Sequence, residues 1–288
     1  MKKRFGTAAL IGKYNSPEIA TPLLTLASYL ETRGVQVMID RLTASHIPNC
    51  PYPVFPLEEL GARADLAVVL GGDGTMLNIA RTFAPFDVAI VGVNQGRLGF
   101  LTDISLDTMV ETIGAILDGE YITEERMLLE AEVHSAGERV FSVLAFNDVV
   151  VSKGVKGSMI EFDVLIDGEL IYTQRSDGLI IATPTGSTAY ALSSGGPIVH
   201  PSLRVMALVP VCPHTLTNRP IVISSDCTVE VVVTSADDPR AHFDSHSHFE
   251  LREGDRVRVA CYEHTISLLH PVGHSYYAML RQKLNWNT

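Results

Sequence analysis

Two rhythms of apolar residues alternate along the first 130 positions. Residues 5–11 form a continuous apolar run of strand length, and Ile19, Leu23, Leu26, Ala27 and Leu30 then repeat along one helical face until Gly34. Ser16-Pro17-Glu18 and Thr21-Pro22 supply N-cap and first-turn signals for that helix. Residues 35–39 predict a second strand. Residues 67–70 are apolar throughout, as expected of a strand covered on both faces of a parallel sheet, and Met76, Ile79, Ala80 and Phe83 give the stripe of a following helix. Residues 88–93 predict another strand, so this part of the chain reads as an α/β layer.

Beyond about residue 130 the rhythm shortens. Residues 160–166, the hairpin signal Asp167-Gly168 and residues 170–174 read as two paired strands, and residues 229–234, 256–261 and 265–269 continue the β-rich run. Helical spacing returns at Tyr277, Leu280 and Leu284. The expected organisation is a Rossmann-like α/β domain over 1–130, a mostly β domain over 131–270, and a C-terminal helix over 271–288 that packs back on the first domain.

A length of 288 residues fits two domains, and a net charge of -11 argues against a general nucleic-acid surface. Any phosphate must therefore be met locally. The start Met1-Lys2-Lys3-Arg4 and its apolar sequel resemble a short signal peptide, but Gly12-Lys13-Tyr14-Asn15 stands where a small-residue cleavage site belongs, so a buried strand is expected. No apolar run approaches the roughly 20 residues of a membrane span. Cys50, Cys212, Cys227 and Cys261 are far apart with no C-x-x-C, which fits reduced thiols in a cytoplasmic protein.

The turn Gly71-Gly72-Asp73-Gly74-Thr75 joins the apolar strand to the helix. Its glycines allow backbone N–H groups to approach a ligand, and the helix start adds a positive dipole end, which together make a phosphate cradle. It matches neither G-x-x-x-x-G-K-[ST] nor G-x-G-x-x-G. Asp73 reads either as a plain helix cap or as a carboxylate that accepts a proton from an attacking hydroxyl or sits beside a metal. A second cluster, residues 177–198, places many hydroxyls, the turn Thr183-Pro184-Thr185-Gly186 and Tyr190 around a prospective polar ligand. Ser187 lacks the G-x-S-x-G context of a hydrolase nucleophile. Asn147-Asp148 interrupts an apolar strand with a pair suited to vicinal ribose hydroxyls. His242, His246 and His248 invite a metal reading, or are turn histidines, and Arg175 reads as an anion clamp or a solvated strand end.

Together, Gly71–Thr75, residues 92–102, Asn147-Asp148, residues 176–180, residues 183–190 and Gly195-Gly196-Pro197-Ile198 resemble the NAD kinases, ATP-dependent enzymes that phosphorylate the 2′-hydroxyl of the adenosine ribose of NAD to give NADP. The resemblance spans nearly the whole chain. It implies that Asp73 accepts the hydroxyl proton, that Gly71, Gly72, Gly74 and Thr75 lie near the ATP phosphates, and that Asp73 and Gly74 also touch NAD. It further implies that Asn147 and Asp148 bind ribose, that Asp177, Thr185, Thr188, Ala189, Tyr190 and Ser193 line the NAD pocket, and that Ser158, Arg175 and His246 join it. A β-sandwich-like second domain, a divalent metal such as Mg2+ with no ligand set fixed by spacing, and homodimers or homotetramers with NAD pockets near subunit contacts are implied as well. Asp148 stands where the family usually has Glu, which calls for a shifted ribose or a bridging water. Two other readings are a GGDGT-loop kinase for a lipid or sugar alcohol and a non-catalytic NAD-binding regulatory module.

Overall fold

A computed structural model describes residues 5–14, 16–96, 98–154 and 158–286. The basic start Met1–Arg4, Asn15 and Arg97 of the 92–102 stretch lie outside the described residues. The chain divides into two compact units, residues 1–125 with 266–288, and residues 126–265.

The first unit opens with β1 (Thr7–Gly12), α1 (Ala20–Thr32), β2 (Gln36–Asp40), α2 (Arg41–Ala44), β3 (Val54–Phe55), α3 (Leu57–Gly61), β4 (Leu66–Leu70), α4 (Asp73–Phe83) and β5 (Ala89–Asn94). Then come β6 (Ile104–Ser105), α5 (Met109–Leu117) and β7 (Tyr121–Arg126). Strands β3-β2-β1-β4-β5 pair in that order, all parallel, with β6 added to β5. All five residues of β4 are buried, as its unbroken apolar run predicts, and α4 buries the expected Met76, Ile79, Ala80 and Phe83. Helix α1 likewise buries Leu23, Leu26, Ala27 and Leu30, while Ser16 caps a preceding 3-10 turn only by position, its hydroxyl bonding Glu18 Oε1 at 2.9 Å instead of a backbone N–H.

The second unit is a pair of antiparallel six-stranded sheets. Its strands are β8 (Leu129–Ser135), β9 (Glu138–Ala145), β10 (Asp148–Lys153), β11 (Ile160–Ile166), β12 (Glu169–Ser176), β13 (Gly178–Ala182), β14 (Val205–Val211), β15 (Ile221–Ser224), β16 (Val229–Ser235), β17 (Pro239–Phe243), β18 (Ser247–Glu250) and β19 (Arg256–Cys261), with the short helix α6 (Tyr190–Ser193) after β13. One sheet runs β15-β14-β13-β10-β17-β18 and the other β12-β11-β16-β19-β8-β9. Alternating residues of both, among them Val149, Val151, Phe162, Ile181, Val231 and Val257, fill one apolar core, the pattern of a sandwich. Asp167 and Gly168 both take positive φ, 52° and 82°, the conformation an Asp-Gly hairpin turn requires between β11 and β12.

The chain then returns to the first unit through β20 (Ile266–Pro271) and α7 (Tyr276–Lys283). By position residues 265–269 continue the β-rich run, yet β20 lies between β5 and β7 and pairs β5 in parallel, Leu268 opposite Ile90. A buried parallel strand and a sandwich strand share the same short apolar signature, so periodicity alone does not assign it to a sheet. Among the described residues no helix is long and apolar enough to cross a membrane.

Candidate functional site

Asp73 is the first residue of α4, and Gly72 occupies the N-cap. The Asp73 side chain makes no capping bond. Its Oδ2 accepts the Phe100 N–H at 2.9 Å and its Oδ1 the Leu101 N–H at 3.0 Å, so a distant turn rather than its own helix orients the carboxylate. Two glycines permit the approach. A Cβ on Gly99 would fall 2.0 Å from Asp73 Oδ1, and one on Gly71 would fall 2.7 Å from Thr75 Oγ1. Gly72 and Gly74 have open space around them and are exposed, which leaves their backbone free for a ligand at the helix start.

In the second unit, Asn147 precedes β10 and Thr183 follows β13, its antiparallel neighbour, so the two polar segments lie side by side. Thr183 N–H donates to the Asn147 carbonyl at 2.9 Å, and Thr183 Oγ1 donates to the Phe146 carbonyl at 2.7 Å. Gly186 sits so close that a Cβ would meet the Asn147 carbonyl oxygen at 2.1 Å, which explains the glycine in this turn. Ser187 Oγ donates to the Pro184 carbonyl at 2.6 Å and accepts Val199 N–H at 3.0 Å, so its hydroxyl braces the loop. Buried Arg126 donates to Thr185 Oγ1 at 3.0 Å, Thr188 Oγ1 donates to the Thr185 carbonyl at 3.1 Å, and Ala189, Tyr190 and Ser193 continue to the surface, with Tyr190 and Ser193 exposed.

Asp244 organises this end of the sheet, a role the sequence reading missed. Its Oδ2 accepts Phe146 N–H at 2.7 Å, and its Oδ1 accepts Asn147 N–H at 2.7 Å and Asp148 N–H at 3.0 Å. Asp148 is buried beside it, and burial followed by the Asp244 charge pushes its carboxyl up to about 7. Because the folded value lies above the ordinary carboxylate range, the stability Asp148 contributes is full below about pH 4 and is lost as pH rises through about 7. Asp148→Asn is therefore expected to gain about 2–4 kcal/mol relative to wild type between pH 4.5 and pH 8, read by urea unfolding at both values. An equal difference at the two pH values would refute the shift.

Other anticipated residues lie elsewhere in the same unit. Asp177 precedes β13 and Thr183 follows it, so five strand residues, roughly 20 Å with the flanking steps, separate them. Asp177 pairs with Lys153 Nζ at 2.8 Å. Ser158 and Arg175 line one open cleft of about 430 Å³ with Glu161, Asp237 and Glu253. His246 is exposed in the turn between β17 and β18, two residues from Asp244, while His242 and His248 face each other across those strands with ring centroids 6.0 Å apart. The three histidines do not form a metal group among the described residues; the side chains close enough for that are Asp103, His270 and His274 of the first unit. At the Gly71–Thr75 turn the one carboxylate is Asp73, which fits a divalent ion carried mainly by phosphate oxygens and water, as Mg2+ commonly is, and not a cage of protein ligands.

Comparison with known proteins bears on both units. The model of the ATP-NAD kinase N-terminal domain matches residues 52–121, and that of the ATP-NAD kinase C-terminal domain matches residues 146–270. An NAD kinase of Nitrosomonas europaea is 60% identical over 283 residues, 98% of this chain and 96% of that protein. One of Nitrosospira multiformis is 59% identical over 287 residues, 100% and 98% of the two chains. The crystal structure of an NAD kinase from Archaeoglobus fulgidus in complex with ATP superposes with a TM-score of 0.73 at 27% identity, covering 97% of this chain and 98% of the other. Yeast NADH kinase complexed with NADH superposes with a TM-score of 0.91 over 99% and 89% of the chains, and at 24% identity that likeness concerns the fold alone.

Proposed function

The chain belongs to the NAD kinase family and catalyses ATP-dependent phosphorylation of NAD, and from that premise we propose how its own residues divide the work. Asp73 accepts the proton of the ribose 2′-hydroxyl. The observation that carries this reading is the pair of N–H bonds from Phe100 and Leu101, which fixes both carboxylate oxygens at the start of α4 although neither caps the helix. The N–H groups of Gly72 and Gly74 hold ATP phosphate oxygens, while those of Gly71 and Thr75 are taken by the Val93 and Gly72 carbonyls. Phosphoryl transfer has a loose transition state, so alignment and charge neutralisation carry most of the catalysis, and Asp73 needs correct placement more than unusual basicity. A divalent ion, Mg2+ by its oxygen preference, would neutralise charge on the phosphates when bound.

In the second unit Asn147 and Asp148 hold the adenosine ribose, and Thr185, Thr188, Ala189, Tyr190 and Ser193 line the remainder of the NAD pocket, with His246 at its edge. Asp177 lies the length of β13 away from that pocket, and Arg175 and Ser158 line a separate cleft. That separation supports a homodimer or homotetramer in which a second copy of the chain supplies its own Asp177, Arg175 and Ser158. A cytoplasmic setting is in keeping with four unpaired cysteines.

NADP formation from NAD, ATP and Mg2+, read through an NADP-specific dehydrogenase, tests the assignments. Asn147→Ala and Asp177→Ala are each expected to lose most activity alone. Unfolding and refolding them together should restore about a quarter of the wild-type rate in mixed dimers, each carrying one intact pocket. No recovery in mixed oligomers, or full activity in a monomer, would contradict the shared pocket.

A further inference from the structure

The turn that orients Asp73 is itself held from two sides of the first unit. On one side β5 grips it: Val93 pairs Ile104, Asn94 Nδ2 donates to the Ile104 carbonyl at 3.0 Å, and Gly92 leaves no room for a Cβ, which would lie 2.4 Å from the Leu101 carbonyl oxygen. Gly99 N–H closes the turn on the Thr102 carbonyl at 3.1 Å. The other side is supplied by the C-terminal segment. Asp103 Oδ2 accepts His270 Nδ1–H at 2.9 Å and His274 Nδ1–H at 2.8 Å, the two imidazoles stack at 3.9 Å, and Lys283 of α7 lies 5.5 Å from the centroid of the Phe100 ring.

Those three side chains also satisfy the proximity needed for a metal centre, their donor atoms lying within 4.8 Å of one another. The contact lengths point elsewhere. Ligand atoms around a tetrahedral zinc at about 2.0–2.1 Å stand about 3.3 Å apart, whereas both Nδ1 atoms here approach Oδ2 at ordinary hydrogen-bond length. The contacts are hydrogen bonds to one carboxylate oxygen. Burial alone would raise the Asp103 carboxyl, but the hydrogen bonds from His270 and then His274 hold it at about 2. His270 is pulled down by burial and raised by Asp103 and by Glu124, whose Oε2 lies 3.2 Å from its Nε2. Charge-assisted bonds of this kind are shorter and about twice as strong as neutral ones.

We propose that Asp103, clasped by His270 and His274, is a positioning residue that sets the Phe100 and Leu101 N–H groups against Asp73. Only Thr102 separates Asp103 from Leu101, so movement at the clasp is passed directly to the two donors. The C-terminal segment thereby shapes the phosphoryl-transfer end of the molecule without touching substrate. This inference rests on Asp73 being the proton acceptor.

The test compares Asp103→Ala, His274→Ala and His274→Asn with wild type, with folding checked by circular dichroism and thermal unfolding. Displacing a catalytic group by about an ångström costs on the order of 10²-fold, so Asp103→Ala should lower kcat about 10–100-fold while KM for NAD stays within about 3-fold. His274→Ala should lose part of that factor. His274→Asn, which keeps an N–H near the Nδ1 position, should return to within about 3-fold of wild type. Because the effect runs through Asp73, Asp73→Asn combined with Asp103→Ala should be no slower than Asp73→Asn alone. Unchanged kcat in folded Asp103→Ala beside a crippled Asp73→Asn, or a double variant slowed by the product of both factors, would overturn the clasp. Full activity of Asp73→Asn would overturn the acceptor reading and the clasp with it. Stoichiometric metal in the purified wild type, lost in His274→Ala, would replace the clasp by a metal centre.

Discussion

Asp73→Asn is expected to lower kcat by about 10²–10⁴-fold, the usual worth of a positioned general base, with KM for NAD changed by about 3-fold at most. The substitution keeps the size of the side chain and one acceptor oxygen. It places an NH2 group against one of the N–H donors of Phe100 and Leu101, so one of the bonds at 2.9 and 3.0 Å is lost, at a cost of about 1–2 kcal/mol in stability. That loss is small beside the total stability of an ordinary domain, so the variant should fold. The rate loss must then come from chemistry. A carboxamide has no useful basicity toward the leaving proton, and its amide hydrogens repel it. NADP production and NAD binding measured on the same preparation separate the two effects; a near-normal kcat would remove Asp73 from its role and leave it as a tie to the 99–102 turn.

How far this site could be read beforehand follows from the distance over which each part is assembled. The phosphate turn was legible because strand, glycines, carboxylate and helix are consecutive in β4–α4. In the second unit Gly186 was legible as part of a dense turn, though not the reason for it, which is the Asn147 carbonyl 39 positions earlier. Asp244 was missed because its three N–H partners lie 96–98 residues away and nothing local marks a carboxylate that faces backbone donors. A signal did exist: Asp244 and Ser245 both take positive φ immediately after β17, a polar pair at a strand end that a tight turn favours. His246, two positions on, carries the stronger signal, since histidine suggests chemistry by residue type alone. The same limit hid the clasp. His270 and His274 meet Asp103 only because β20 enters the first sheet beside β5, a pairing between segments 178 residues apart at Ile90 and Leu268. An apolar run records that a strand is buried, and not which sheet buries it.

Asp244→Asn should produce the second large effect, visible in stability and in pH dependence together. Asp244 accepts three N–H groups from the turn 146–148, and an amide offers one oxygen where the carboxylate offered two. In its better orientation the amide keeps Asn147 and Asp148 and abandons the buried Phe146 N–H; the remaining bonds become neutral ones. Losing a buried donor's partner and the charge on the others should cost about 2–4 kcal/mol, read as a shift in the urea midpoint. The left-handed backbone at residue 244, with φ of 51°, suits Asn as well as Asp, so strain contributes nothing to that figure. The second consequence has the opposite sign on acidity. Burial raises the Asp148 carboxyl first and the Asp244 charge second, so neutralising residue 244 should move Asp148 down from about 7 while burial keeps it above the ordinary value. If ionised Asp148 accepts a ribose hydroxyl, KM for NAD in the wild type falls as pH rises through about 7, and in Asp244→Asn the midpoint of that fall shifts to lower pH. Loosening of the turn should at the same time raise KM about 10-fold or more at pH 8, where Asp148 is ionised in both proteins. A destabilised variant with an unmoved midpoint would show that Asp244 braces the backbone without setting the charge of Asp148; a shifted midpoint would tie the ribose-binding carboxylate to a partner 96 residues away.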